Sequence, residues 1–156
     1  MKHIIKITLT LILVFSLLSC SDNQEKRKEI VNEKIELISN NQKEWNHLTN
    51  LILKDSYVIS KVGLIIEPSD LANSLRQELE DKGIRNITVR INSDCKEVEY
   101  STKWTEYPIG TLYLKWTNCD SVHTKKGFYK DNIHVDFTEV WGVGNNWLIW
   151  TDCDFI

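Results

Sequence analysis

Proline, glycine and long apolar stretches are all scarce in this chain of 156 residues. Its two prolines and six glycines are too few for a flexible or proline-rich linker between domains, and it has no low-complexity tract. The longest nearly apolar stretch, residues 7–18, is shorter than the about 20 residues of a comfortable membrane span. These scarcities argue against a multidomain chain and against an ordinary transmembrane helix.

Motifs of common enzymes and of nucleic-acid-binding proteins are absent as well. The chain has no G-x-S-x-G, no H-E-x-x-H and no glycine loop of the kind that cradles phosphate. It also has no cluster of lysine and arginine interleaved with aromatic residues. The sequence therefore predicts no nucleic-acid partner, no cofactor and no metal site.

The start of the chain has the layout of a secretory signal. Lys2 and Lys6 make it basic, the apolar stretch follows, and the small Ser19 stands at the expected cleavage edge. Leu17-Leu18-Ser19-Cys20 resembles the lipobox of bacterial lipoproteins, in which an aliphatic, a variable and a small residue precede a cysteine. In that family the cysteine is acylated, for example with palmitate, and becomes the mature N-terminus. The resemblance implies lipidation of Cys20 and a membrane-anchored protein of the bacterial cell envelope.

The residues behind this cysteine bear on localisation. Ser21-Asp22-Asn23-Gln24-Glu25 is similar to the short acidic tags that send some Gram-negative lipoproteins to the cell surface. The resemblance implies the outer membrane, with surface exposure. The expected organisation is a signal peptide over 1–19, a lipidated tether over 20–28 and a single domain over 29–156. An ordinary signal peptide or short membrane anchor ending at Cys20 is the alternative.

The mature chain is the size of one ordinary domain and is acidic. Cleavage before Cys20 leaves 137 residues. Loss of Lys2 and Lys6 reduces the 19 basic residues to 17 against 22 acidic ones, a net charge of −5 with neutral histidines. This balance gives no support to a polyanionic partner.

Helical periodicity marks the first third of the mature chain. Between Glu25 and Asp55 the apolar residues recur on one stripe, as in an amphipathic helix. They are Ile30, Val31, Ile35, Ile38, Trp45, Leu48, Leu51 and Ile52. Asn40-Asn41 are expected to bend or fray this helix. A second helix is expected after Pro68, with Ser69 as its N-cap and Gly83 as its C′ residue.

Beyond residue 84 the apolar residues alternate with polar ones, as in β-strands. Five strands are expected, around residues 87–91, 98–104, 112–116, 133–141 and 147–150. The preceding stretch, residues 57–66, fits either a strand or a buried connector. The polar faces of the first two strands indicate a sheet that is covered on one side. The predicted fold class is therefore α+β, with two N-terminal helices packed on an antiparallel β-meander of about five strands.

Three cysteines remain besides Cys20, so one is left over if two of them pair in the oxidising envelope. In a five-strand meander Cys95, Cys119 and Cys153 all follow strands at the same end of the sheet. If Phe128-Tyr129 forms an extra strand, Cys153 moves to the opposite end. A Cys95–Cys119 disulfide fits both topologies and is the predicted pairing.

Two segments resemble each other within this region. Residues 114–120 and 148–154 share the pattern L-x-W-T-[N/D]-C-D. The pattern fits either a duplicated hairpin or a coincidence in a compositionally biased stretch.

The histidines offer a weak catalytic hypothesis. His134 and Asp136 share one face of a predicted strand, and His123 lies in the loop before it. Together they could form a zinc or hydrolytic cluster, but H-x-D is a common chance pattern, and a solvated polar strand face is the simpler interpretation. The sequence assigns no catalytic residue and keeps His123, His134 and Asp136 as the candidates.

The tryptophans suggest a binding surface. Trp147 and Trp150 must lie on opposite faces of their strand, because their separation is odd. If Trp147 and Ile149 pack inward, Leu148 and Trp150 point outward and form a candidate binding patch for a glycan, a peptide or a protein. Cover by a helix or by the C-terminal tail is the alternative.

These features predict a lipid-anchored binding or accessory protein of the envelope or cell surface, with inhibitor or immunity-like binding of a secreted protein among its roles. The expected partners are the membrane, through the lipid on Cys20, and a protein or glycan ligand. One alternative is a small envelope hydrolase that uses the histidine and aspartate cluster. Another is a structural component of the envelope. Convergence of His123, His134 and Asp136 in a pocket would favour the hydrolase, whereas an exposed aromatic patch would favour a binding module.

Overall fold

A computed structural model describes residues 25–26, 28–106, 110–119, 122–131 and 138–152 of the chain. The contacts divide the chain into two compact units, Met1–Lys34 and Ile35–Ile156. In the first unit, residues 28–34 are helical. Residues 1–24, with the lipobox and Cys20, lie outside the described residues. Within the described ranges no helix is long and apolar enough to cross a membrane.

All four described α-helices lie before residue 82, and the seven strands lie mostly after it. The α-helices are α1 over 28–40, α2 Gln42–Ile52, α3 Ser56–Ser60 and α4 Asn73–Asp81. The 3-10 turns are Pro68–Asp70 and Val122–Thr124. Seven strands are found in the described part: β1 Ile65–Ile66, β2 Ile84–Asn92, β3 Cys95–Glu106, β4 Gly110–Thr117, β5 Gly127–Asp131, β6 Thr138–Gly144 and β7 Trp147–Asp152.

The strands form one antiparallel sheet in the order β1-β2-β3-β4-β7-β6-β5. The α+β class is therefore as predicted, but the five-strand meander is wrong in both number and order, and four helices are described where two were predicted. The two-residue β1 and the five-residue β5 are too short to give a periodic signal of their own. After β4 the chain forms β5 and β6 before β7 pairs with β4. Strand β6 therefore lies beyond β7, and β5 forms the edge of the sheet.

One face of the sheet carries the core. The buried residues of β2, β3 and β4 alternate along their strands as the sequence predicted, and Trp147 and Ile149 of β7 point to the same face. On this face lie Ile87, Val89, Val98, Tyr100, Thr102, Leu112, Leu114, Trp147 and Ile149, all 0–1% exposed. Helix α2 packs here, since the Trp147 Nε1–H donates to Asn46 Oδ1 at 2.9 Å and the Thr49 and Tyr100 hydroxyl oxygens lie 2.7 Å apart.

The helix boundaries follow local signals in two cases and depart from them in a third. Asn41 interrupts the long predicted helix, because it forms a turn between α1 and α2. Gly83 follows the C-cap of α4 in the left-handed conformation, with φ of +70°, as predicted. Ser69 is not the N-cap of α4. It lies inside the 3-10 turn, which Glu67 and Asp70 close with a reciprocal capping box, and α4 begins after Ala72.

The predicted disulfide joins two neighbouring strand ends. Cys95 begins β3 and Cys119 follows β4, and the two are bonded with their Cα atoms 4.9 Å apart. Beside the bond, Asn118 Oδ1 accepts from the Lys96 backbone N–H at 2.6 Å. The end of β7 lies beside the beginning of β4, because Thr151 pairs with Leu112, at the sheet end opposite Cys119. Cys153 itself lies outside the described residues.

Candidate functional site

Of the three residues proposed for a catalytic cluster, the structure describes only His123. His123 lies in the 3-10 turn Val122–Thr124, and its ring meets the ring of Tyr129 edge to face, with centroids 5.2 Å apart. His134 and Asp136 lie outside the described residues. In the part of the chain that the structure describes, no group of three His, Cys, Asp or Glu side chains could hold a metal ion.

The predicted Leu148 and Trp150 patch lies on the face of the sheet opposite α2, here called the outer face. Residues directly opposite in antiparallel strands share a face, and Leu148 pairs with Lys115 while Trp150 pairs with Tyr113. Trp150 stacks on Tyr113, with ring centroids 4.1 Å apart and planes 12° apart. The alternation predicted for β7 is therefore confirmed.

Leu148 is not an exposed member of this patch. Its side chain is only 6% exposed, and the 3-10 turn between β4 and β5 contacts both β6 and β7. The approach is so close that a Cβ on Gly142, the β6 residue paired with Leu148, would fall 1.7 Å from the Lys125 carbonyl oxygen. This connector therefore covers Leu148, on the face of the sheet opposite helix α2, and the C-terminal tail considered from the sequence lies outside the described residues. Trp150 is half-buried, and its Nε1–H has no hydrogen-bond partner among the described residues.

The rest of the outer face carries a ladder of opposite charges. Arg90 lies 3.6 Å from Glu99, and Lys115 lies 3.5 Å from the same carboxylate. Glu97 lies 4.0 Å from both basic groups. Two positive and two negative groups compensate each other across three strands, so this ladder has no net charge and stabilises strand pairing modestly.

The two similar segments do not occupy equivalent positions. Leu114 pairs with Ile149 on the helix-covered face, whereas Leu148 pairs with Lys115 on the outer face. Trp116 pairs with Trp147 on the covered face, whereas Trp150 stacks on the outer face. Corresponding residues thus point to opposite sides of the sheet, which does not favour a duplicated hairpin.

A cleft of about 390 Å³ opens between the end of α1, the start of α2, the end of α4 and the C-terminal half of β3. Its volume is within the usual range for small-ligand sites. It is named here the Trp104 cleft. Its lining combines apolar surface with polar groups, namely Leu37, Asn41, Glu44, Trp45, Asp81, Lys82, Gly83 and Trp104.

Two indole rings form the apolar wall of the Trp104 cleft. Trp45 and Trp104 meet edge to face with ring centroids 6.4 Å apart. Trp45 is nearly buried, because its ring also meets Tyr100 and Trp147 at 5.9 Å, while Trp104 is half-buried. The core therefore fixes Trp45, and Trp45 in turn supports Trp104.

The turn after α4 lies directly beside this wall. Gly83 adopts a positive φ and has no side chain, and a Cβ there would lie 3.6 Å from Trp104 Nε1. Its carbonyl oxygen accepts from the Lys103 backbone N–H at 2.6 Å, which ties the turn to β3 immediately before Trp104. The same residue that ends α4 thus places the end of that helix against the indole.

The rim of the Trp104 cleft is charged. Lys82 Nζ lies 4.9 Å from the centroid of the Trp45 ring and 3.2 Å from Glu44 Oε2. Asp81 Oδ1 accepts from Gln77 Nε2 at 2.8 Å. A carboxylate has about four acceptor positions, so Glu44 and Asp81 keep acceptor capacity beyond these contacts.

Sequence reasoning missed this cleft because its members come from distant parts of the chain. Trp45 and Trp104 carry no motif, and only the fold brings α2 next to β3. The one local signal was Gly83, whose predicted C′ position marks where α4 ends.

The comparisons with known proteins give no further guidance, since no family model, no curated protein and no solved structure matches this chain.

Proposed function

We propose that this protein is a lipid-anchored binding protein of the bacterial cell envelope, and that its Trp104 cleft binds a saccharide. The observation that carries the proposal is the juxtaposition of two indole rings with a charged rim in a cleft of about 390 Å³. The anchor is the acylated Cys20 that the lipobox implies.

The chemistry of the lining fits a sugar ring. A pyranose presents an apolar face of C–H groups, which packs on an indole, and a rim of hydroxyls, which need donors and acceptors. Trp104 offers the half-buried ring. Glu44 and Asp81 offer acceptors, and Lys82 offers donors, at the edge of the same cleft.

Lys82 can change partners at small cost. Its present ion pair is with Glu44, whose side chain is 68% exposed. Exposed ion pairs of this kind contribute little, typically below about 1 kcal/mol. The ammonium group, which lies 4.9 Å from the centroid of the Trp45 ring, can therefore exchange Glu44 for a ligand oxygen at the same rim.

Binding can be followed in ¹H–¹⁵N NMR spectra through the indole N–H signals. The six tryptophans give six such signals. The lipidated protein in detergent micelles would be titrated with chitotriose and maltotriose as neutral probes, and each signal assigned with single Trp→Phe variants. We expect saturable shifts of the Trp104 and Trp45 signals. Trp104→Ala should weaken binding by about tenfold, the loss expected for one aromatic contact.

Trp150→Ala is the matched control, because Trp150 is also half-buried but lies on the outer face. It should leave the affinity unchanged. Absence of a saturable Trp104 shift with either saccharide, or equal weakening by both alanine variants, would contradict the proposed site.

A further inference from the structure

A second surface feature lies at the β1 edge of the sheet. Between Tyr57 and Ile65, five large apolar side chains are 38–71% exposed: Tyr57, Ile59, Val62, Leu64 and Ile65. Only Val58 in this stretch is fully buried, where it anchors α3. Single exposed apolar residues are normal in proteins, but a concentration of this kind marks an interaction surface. We name it the 57–65 segment.

The charge of the 57–65 segment differs from that of the whole chain. Residues 56–66 contain no Asp or Glu and include Lys61, whereas the mature chain carries a net charge of −5. Lys61 Nζ lies 5.8 Å from the centroid of the Tyr57 ring, and the exposed Lys54 comes just before α3. The adjacent Asp55 carboxylate is engaged as the N-cap of α3, accepting from the Val58 N–H at 3.0 Å.

Exposed aliphatic side chains, a tyrosine and Lys61, with Lys54 and Asp55 before them and Glu67 after them, form a combination that suits a lipid surface. The apolar groups enter the boundary between headgroups and acyl chains, tyrosine prefers the interface, and lysine binds anionic headgroups. We infer that the 57–65 segment docks on the bilayer that holds the lipid anchor.

This inference rests on the predicted acylation of Cys20 and does not depend on the Trp104 cleft. Fifteen residue steps separate Cys20 from Ile35, where the second unit begins, and with residues 28–34 helical they span at most about 40 Å. Acylation of Cys20 would hold the second unit within this reach of the bilayer at a high effective concentration, so that a weak contact through the 57–65 segment is enough.

The test places an environment-sensitive fluorophore on the lipidated full chain. Ile65→Cys, 71% exposed in the parent, would carry the probe NBD, and Val122→Cys, 64% exposed and at the far side of the sheet, would be the matched control. Both variants would be made with Cys153→Ser, so that only the new cysteine is labelled. They would be reconstituted in vesicles of phosphatidylethanolamine and phosphatidylglycerol with and without doxyl-labelled lipid.

The probe at position 65 should emit at shorter wavelength and be quenched by the doxyl lipid several-fold more than the probe at position 122. Lys61→Glu should reduce this quenching in the anionic vesicles and change it little in phosphatidylcholine vesicles. Equal emission and quenching at the two positions would overturn the inference. So would a blue shift at position 65 that develops with protein concentration in detergent alone, because a second copy of the chain would then cover the segment.

Discussion

At the scale of single residues, the most constrained polar contact is the hydroxyl pair between Thr49 and Tyr100. Both residues are buried, with hydroxyl oxygens 2.7 Å apart, and the Thr49 hydroxyl also donates to the Trp45 carbonyl oxygen at 2.8 Å. Tyr100 is therefore the donor to Thr49. This short chain of bonds links α2 to the centre of β3 and holds Trp45, the support of Trp104, in place.

A double-mutant cycle tests this chain of bonds. Tyr100→Phe should cost about 1 kcal/mol of unfolding free energy. Thr49→Val should cost about 1–3 kcal/mol, because it leaves the buried Tyr100 hydroxyl without an acceptor. The double variant should lose less than the sum of the two, by about 1 kcal/mol. Losses that add within 0.3 kcal/mol, roughly the error of urea unfolding, would show that the two hydroxyls do not interact.

The same tyrosine predicts a dependence on pH. Burial raises the pKa of Tyr100 well above its ordinary value near 10, and the hydrogen bond with Thr49 opposes this only in part. Above pH 10 the unfolded chain releases a proton that the folded chain keeps, so stability falls as pH rises. Between pH 9 and 11 the free energy of unfolding of the parent should fall by about 1.4 kcal/mol more than that of the Tyr100→Phe variant. Parallel losses in urea unfolding would contradict the raised pKa.

At the scale of elements, prediction from sequence succeeded where the determining contacts are local. Gly83 ends α4 as predicted, since the left-handed C′ position depends on a few neighbouring residues. The prediction of Ser69 as the N-cap of α4 was wrong because Pro68–Asp70 forms a separate 3-10 turn, in which Glu67 and Asp70 cap each other. A pattern of one serine before a helix does not distinguish these two arrangements.

Non-local contacts could not be predicted from the sequence. Alternation in β2, β3, β4 and β7 identified the buried face, but no local signal places β7 beside β4. For the same reason the connector that covers Leu148 was missed, although the glycine that admits it, Gly142, is in the sequence. The Trp104 cleft depends on both the sheet order and the position of α2.

The disulfide is the element-scale feature with the largest expected energy. Cys95 and Cys119 are 24 residues apart, and closing such a loop stabilises the fold by about 3.5 kcal/mol in the chain-entropy model. The double variant Cys95→Ala, Cys119→Ala should lose this amount in urea unfolding, while Cys153→Ala, the control, should lose little. Non-reducing peptide mapping should find Cys95 and Cys119 in one linked fragment. A linked fragment that contains Cys153 would contradict this pairing.

At the scale of the whole molecule, we propose a domain that contacts the bilayer through its 57–65 segment and binds a saccharide in the Trp104 cleft. The 57–65 segment adjoins β1 at one edge of the sheet, whereas the cleft lies between α2, α4 and β3. Membrane contact and ligand binding therefore use different residues and can be lost separately. Both proposals place the protein at a membrane, and that placement depends on Cys20.

Metabolic labelling with an alkyne fatty acid tests the lipid anchor most directly. Cells expressing the parent, Cys20→Ala or the matched control Cys153→Ala would be labelled, and the purified protein analysed in gel and by intact mass. The parent and Cys153→Ala should carry the label and begin at an acylated Cys20, while Cys20→Ala should be unlabelled and either unprocessed or released from the membrane fraction. Labelling of Cys20→Ala as strong as that of the parent would contradict the lipid-anchored protein proposed here.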